Sequence, residues 1–415
     1  MIIIHGMNSP TILPRVLAPR LKQALQVAPV VVITGSRQTG KSTLARTVEP
    51  EGRRLYVTLD DLDVRDDALT RPHDLLRRAP RLTLDEVQHV PGLLSAVKRT
   101  VDERRVAGQF LLTGSANLLL MRRVAESLAG RAVYFTLWPM TRREQLGLGT
   151  AGIWEALLQT PLRRWLDLVT AQEAGPEDWR AAVRRGGYPP PALELQDDAA
   201  REQWFAGYAA TYLERDVLQL AAIQALVEFR RLMRAACLRL GNLVNQTELG
   251  RDVGLPQPTV HRYLAMLETS YQLIRLPAYA VNRTKRLIKT PKLFWSDPGM
   301  ALHLAAEPTP RGAHLENLVL SDLLAWSGTL ADRAEILYWR TAVGEEVDFV
   351  VEWKGRLLAL EVKASDRVSS RDARGIMAFR EEYGQAVQGG LVLHTGAEIY
   401  WLSEGVLAAP WWRVI

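Results

Sequence analysis

Gly35-Ser36-Arg37-Gln38-Thr39-Gly40-Lys41-Ser42 follows the spacing G-x-x-x-x-G-K-[ST] in full. Gly35 and Gly40 let the backbone turn where a Cβ would hinder it, so successive N–H groups can wrap a phosphate. A helix opening near Lys41 adds its positive end. Lys41 can reach the β- and γ-phosphates, the Ser42 hydroxyl can ligate Mg²⁺, and Thr43 extends the set. This chemistry holds a nucleoside triphosphate, with ATP and Mg²⁺ as the expected cofactors.

A second chemical pair closes the apolar run Leu82-Thr83-Leu84 with Asp85-Glu86. Asp85 at a strand end suits the metal, with Ser42, and Glu86 is placed to polarise the attacking water. Farther on, Phe110-Leu111-Leu112-Thr113 ends in Gly114-Ser115-Ala116-Asn117, where Ser115, Thr113 or Asn117 can face the site or simply cap the next helix. Arg131, in Leu128-Ala129-Gly130-Arg131, can neutralise transition-state charge in cis or from a neighbouring subunit. It can equally serve as a structural ion-pair partner, and Arg122 and Arg123 compete for the role.

The last third holds another constellation. Glu346-Val347-Asp348-Phe349 and Leu360-Glu361-Val362-Lys363 read as strands of a hairpin turning at Lys354-Gly355. Alternation puts Glu361 and Lys363 on one face. Asp348 and Glu361 can share one Mg²⁺. Lys363 can activate the water and Glu316, on a helix from Gly312, can add an oxygen: metal-assisted phosphodiester hydrolysis. The opposing reading is charge alternation on a half-exposed sheet.

The elements that must position these groups are legible from pattern. Residues 11–28 read as an amphipathic helix, with Leu17, Leu21 and Leu25 four apart. Val30-Val31-Val32-Ile33 is a buried strand before the loop, and Leu55-Tyr56-Val57-Thr58-Leu59 is the next. Strand alternating with helix gives a parallel, doubly wound α/β sheet. From Pro139 to Ala192 the pattern is helical and rich in tryptophan, with a turn at Gly186-Gly187-Tyr188-Pro189. Glu214, Arg215 and Asp216 form either a polar contact to the core or a solvated helix face.

Helices from Thr247 to Gly254 and from Gln257 to Leu267 have helix-turn-helix spacing. Tyr271–Ala280 and Lys292–Trp295 read as strands of a wing, with Arg283, Lys285, Arg286, Lys289 and Lys292 supplying a basic stretch. DNA is the partner such a module fits, although it also serves as a packing unit.

Over 415 residues the net charge is +6, which suits a polyanionic partner without requiring one. Apolar residues make up 47% and charged residues 24%, in the globular range. Without an 18-residue apolar run, no membrane helix is expected. The N-terminus lacks the basic start and cleavage site of a signal peptide. One cysteine, Cys237, excludes an internal disulfide and reads as core rather than nucleophile. A cytoplasmic location is expected. No internal repeat is visible.

The order of motifs resembles prokaryotic AAA-like ATPases with a C-terminal domain of unknown function, in which a winged helix precedes a restriction-endonuclease-like fold. Its carriers are the phosphate loop, Leu84-Asp85-Glu86-Val87-Gln88, Leu112-Thr113-Gly114-Ser115, Leu128-Ala129-Gly130-Arg131, Gly187-Tyr188-Pro189, Tyr212-Leu213-Glu214-Arg215-Asp216, Glu346-Val347-Asp348-Phe349 and Leu360-Glu361-Val362-Lys363. The resemblance implies a polar sensor at Ser115 and a homo-oligomer. No proline precedes Asp348, so the first half of the nuclease signature is incomplete. The expected organisation is an ATPase domain over 1–145, a helical lid over 146–240, a winged helix over 241–300 and a nuclease-like α/β domain over 301–415. The expected function is Mg²⁺-dependent ATP hydrolysis that switches or drives a nucleic-acid-facing C-terminal region. The alternative is an ATP-dependent nuclease cutting DNA through Asp348, Glu361 and Lys363.

Overall fold

The computed structural model describes residues 3–4, 11–50, 52–115, 128–214 and 226–415. Helix α1 (Ala18–Val27) leads into strand β1 (Val30–Thr34), which is followed by α2 (Lys41–Thr47). Strands β2 (Leu55–Thr58), β3 (Leu82–Asp85), β4 (Phe110–Thr113) and β5 (Ala132–Thr136) complete a parallel sheet in the order β2-β3-β4-β1-β5. Alternation along β1 splits its side chains between two cores. Val31 and Ile33 pack with Leu21, Leu25 and Leu44 from α1 and α2. Val30 and Val32 pack with Leu84, Leu112 and Val97, the last from α3 (Leu93–Glu103). Helices on both faces explain why these strands are apolar at nearly every position. The expected doubly wound sheet is therefore present. The first helix starts later than residue 11, because Pro19 fits its first turn and Thr11–Ile12 is extended.

The strand order decides the site. β4 lies between β1 and β3, so three consecutive strand ends present Gly35, Thr113-Gly114-Ser115 and Asp85-Glu86 side by side.

After a stretch of short helices, α4 (Gln246–Val253) and α5 (Gln257–Thr269) form the helix-turn-helix. Asn245 starts α4 by accepting the N–H groups of Thr247 at 3.0 Å and Glu248 at 3.3 Å. Gly254 ends it at φ +72°, a conformation glycine takes without steric cost. Strands β6 (Leu273–Leu276) and β7 (Lys292–Trp295) then pair antiparallel, with Leu276 opposite Lys292.

The rest is helix α6 (Gly312–Ser327) against a mixed sheet of β8 (Glu335–Arg340), β9 (Glu346–Trp353), β10 (Arg356–Val362), β11 (Val387–His394), β12 (Tyr400–Ser403) and β13 (Val406–Pro410), in the order β8-β9-β10-β11-β13-β12. One apolar cluster runs from Ala151 through the helical region and the helix-turn-helix to Ile415, joining them to one face of this sheet. Cys237 is fully buried within it, as expected for a core residue. Among the described residues no helix is long and apolar enough to cross a membrane.

Candidate functional site

The phosphate loop turns at Gly35 (φ +141°), Gln38 (φ +59°) and Gly40 (φ +91°). A Cβ on Gly35 would lie 2.4 Å from the Leu137 carbonyl oxygen, so glycine alone fits there. The loop lines a cleft of about 380 Å³ with Arg37, Gln38, Gly40, Lys41, Ser42, Thr43, Glu86, Pro189 and Pro190. Lys41 folds back to donate to the Ser36 carbonyl at 2.7 Å and that of Gly35 at 3.2 Å. Burial pulls its ammonium down to about 8, against the opposing pull of Glu86 and Asp85. An anion in the cleft would therefore gain a cation that the protein has only partly neutralised.

Asp85 is the hub of the neighbouring strand end. Its Oδ1 accepts from Ser42 Oγ at 3.1 Å and from Thr113 Oγ1, while its Oδ2 accepts from Tyr56. Burial, then the bond to Asp85, pushes the Tyr56 phenol well above its usual range, so it stays a donor. Glu86 takes φ +58°, uncommon for a residue with a Cβ, and its N–H donates to Thr113 Oγ1 at 3.2 Å. Gln88 Nε2 bonds both the Glu86 carboxylate and, at 3.1 Å, Ser115 Oγ. The loop, Asp85, Glu86 and Ser115 are thus brought together, and Thr113 serves Asp85.

Arg131 is not brought to its own loop. It precedes β5 at the opposite end of the sheet and pairs with Asp102, with 3.0 Å between Nη2 and Oδ2. Roughly 20 Å of strand separates it from the level of Gly35. Of the roles left open for it, the ion pair is the one seen, and action on its own nucleotide does not fit this position, because parallel strands put residues before β5 and residues after β1 at opposite ends of the sheet. Asn117, Arg122, Arg123, Arg215, Asp216 and the side chain of Glu214 lie outside the described residues.

Several residues outside the nucleotide motifs reach the loop, among them Tyr188 of the Gly187-Tyr188-Pro189 turn. Arg15 is buried and donates to Glu144 Oε1 at 2.9 Å and to the carbonyls of Thr39 and Trp138 at 2.7 Å each. Glu144 belongs to a capping box with Thr141, a spacing readable in the sequence. Tyr188 donates to Ser36 Oγ at 3.3 Å and to Gln272 Oε1 at 3.4 Å, and Tyr208 donates to the Arg37 carbonyl at 3.3 Å. Gln272 Nε2 donates to Tyr208 at 3.3 Å, and Thr34 Oγ1 lies 2.8 Å from the Tyr271 hydroxyl. These aromatic residues are far apart in sequence, and only folding aligns them.

The C-terminal constellation also assembles. Continuing the β9–β10 register places Asp348 opposite Glu361. Asp348 Oδ2 accepts the Val362 N–H at 3.0 Å, and Lys363 Nζ lies 2.7 Å from Glu361 Oε2. Burial and then Asp348 push the Glu316 carboxyl up to about 8, and the same causes raise that of Glu361 well above its usual range. Burial would raise Asp348 too, but Lys292 and Lys363 outweigh it and hold its carboxyl low.

One expectation is corrected here. Arg286 and Lys292 were assigned to a basic stretch facing DNA, yet both are buried. Arg286 pairs with Glu335 and Glu352 at 2.6 Å each. Lys292 pairs with Glu346 and, at 3.4 Å, with Asp348. Burial opposes its charge, but Asp348, Glu316 and Glu346 prevail and its ammonium titrates above the usual lysine range. The Mg²⁺ expected between Asp348 and Glu361 would have to share Asp348 with an ammonium. Lys292 Nζ lies 3.4 Å from Asp348 Oδ1, and Lys363 Nζ 2.7 Å from Glu361 Oε2.

A parallel sheet with a phosphate loop, and Asp85-Glu86 two strands away across β4, defines a phosphate-loop ATPase. Comparison with known proteins agrees. Residues 27–146 match the AAA domain family, 176–311 match DUF8612, a domain of unknown function, and 311–414 match DUF4143, another. An uncharacterized protein of Mycobacterium tuberculosis is 32% identical over 408 residues, covering 95% of this chain and 82% of that one. An uncharacterized protein of Haemophilus influenzae is 21% identical, covering 85% and 87%. The chain belongs to the family of AAA-like ATPases with a C-terminal DUF4143 domain. A Walker-type ATPase of Pyrococcus abyssi aligns at 14% identity and a TM-score of 0.42, over 71% of this chain and 99% of that one, which is too loose to carry an argument.

Proposed function

We propose that the protein binds ATP with Mg²⁺ in the phosphate-loop cleft, hydrolyses it, and uses the nucleotide state to set the helix-turn-helix and its hairpin. The observation that carries this is a cleft lined by Lys41, Ser42 and Glu86, with Asp85 bonded to Ser42 behind it and Ser115 joined to Glu86 through Gln88. Ser42 Oγ and Asp85 are hard oxygen donors that suit Mg²⁺, whose other ligands come from phosphate and water. Once bound, Mg²⁺ supplies charge neutralisation at the phosphate oxygens. Lys41 holds the β- and γ-phosphates, Glu86 takes up the water proton, and Gln88 fixes the Glu86 carboxylate against Ser115.

In the homo-oligomer that the resemblance implies, Arg131 could act only on a neighbour's nucleotide, and only after release from Asp102. The exposed residues Gln257, His261 and Arg262 of α5, with exposed Lys285 and Lys289, form the face offered to nucleic acid. Lys41→Ala should abolish nucleotide binding, read with a fluorescent ATP analogue, because the phosphates lose their main cation. Unchanged affinity would sink the assignment.

A further inference from the structure

We propose that Lys292 is the resident cation of the carboxylate cluster at Glu316, Glu346, Asp348 and Glu361, and that the cluster takes no divalent ion while Lys292 is seated. Lys292 arrives from outside the sheet that carries Glu346, Asp348 and Glu361 and from outside the helix that carries Glu316: it stands on β7 of the hairpin, and its side chain is 3% exposed. Its ammonium touches Glu346 and Asp348 Oδ1 and lies 5.6 Å from the centre of the Tyr338 ring. The other Asp348 oxygen is taken by the Val362 N–H, and Glu361 Oε2 by Lys363.

A divalent ion needs about six oxygens drawn close around it. The two oxygens best placed to begin such a shell already serve donors, and the incoming cation would meet a fixed positive charge in a poorly screened interior. A buried ammonium is tolerated only when paired, so Lys292 and the carboxylates hold one another in place. The hairpin also fixes how the cation could leave. Lys292 pairs with Leu276, while Tyr271 and Gln272, just before β6, contact Thr34 and the tyrosines on the phosphate loop. Withdrawing Lys292 therefore requires movement of an element that also touches the nucleotide loop. This assignment is independent of whether ATP is hydrolysed.

Mn²⁺ binding to the full-length protein without nucleotide, followed by the electron paramagnetic resonance of free Mn²⁺, tests it. Wild-type protein should show no site that Asp348→Asn removes. Lys292→Met should gain one site per chain, at least about tenfold tighter than any wild-type binding, and adding Asp348→Asn should abolish it. An Asp348-dependent Mn²⁺ site in the wild type overturns the proposal. So does a folded Lys292→Met protein that gains no site. Should Lys292→Met fail to fold, wild type against Asp348→Asn decides alone.

Discussion

The Tyr271 hydroxyl lies 2.8 Å from Thr34 Oγ1, and Thr34 donates its own proton to the Phe135 carbonyl at 3.2 Å. Tyr271 is therefore the donor. It joins the residue immediately before Gly35 to the residue two positions before β6. Tyr271→Phe removes this bond and should cost about 1 kcal/mol of stability, with nucleotide affinity changed less than about threefold. In wild-type protein, ATP should slow amide exchange in β6 and β7, and the variant should lose most of that protection. Equal protection in both would show that the hairpin does not follow the loop through this contact.

Glu86→Gln keeps the size of the side chain and its contact with Gln88 but cannot accept a proton. Turnover should fall by about 100-fold or more while ATP affinity stays within a few fold. A steady-state phosphate-release assay beside a binding titration separates the two. Wild-type turnover in the variant would remove Glu86 from the chemistry.

What could be read from the chain depended on how local the signal was. Gly35–Ser42 and Asp85-Glu86 are each contiguous, and the apolar runs before them dictate buried parallel strands. Their proximity was not local. It depends on β4 inserting between β1 and β3, a choice of strand order that no residue spacing encodes. The Glu361-x-Lys363 alternation was readable for the same reason as the loop. The role of Lys292 was not: a lysine in a basic stretch looks solvent-facing until the opposing carboxylates are known. Arg131 misled in the opposite sense, since its motif context said nothing about which edge of the sheet it occupies.

Arg15 shows how an unmarked residue can control the site. Both it and Glu144 are almost completely buried, and Arg15 grips the loop at the Thr39 carbonyl. Arg15→Met leaves the Glu144 carboxylate buried without its cation, which should cost about 3–5 kcal/mol and weaken nucleotide binding. Adding Glu144→Leu removes the orphaned charge, so melting temperature should partly recover while nucleotide binding does not. Thermal denaturation with a parallel binding titration checks both. Full recovery of binding would mean that the pair supports the fold alone.

Asp297 gives the fold a pH dependence of defined sign. It accepts the N–H of Gly187 at 2.6 Å and that of Met300 at 2.8 Å, and so fastens the turn that presents Tyr188 to the loop. Burial pushes its carboxyl up to about 6, against those donors, while an unfolded chain would titrate near 3.9. Between these values the folded state binds the proton more tightly than the unfolded one. The contribution of this group is therefore complete below about pH 4 and is lost as pH rises through about 6. Asp297→Asn abolishes this titration but leaves the others in place. Going from about pH 4 to about pH 7, wild-type stability should fall relative to the variant by on the order of 2–3 kcal/mol. Urea denaturation of both proteins across that interval measures the difference. A constant difference would mean that Asp297 is ionised throughout, with its backbone donors outweighing its burial.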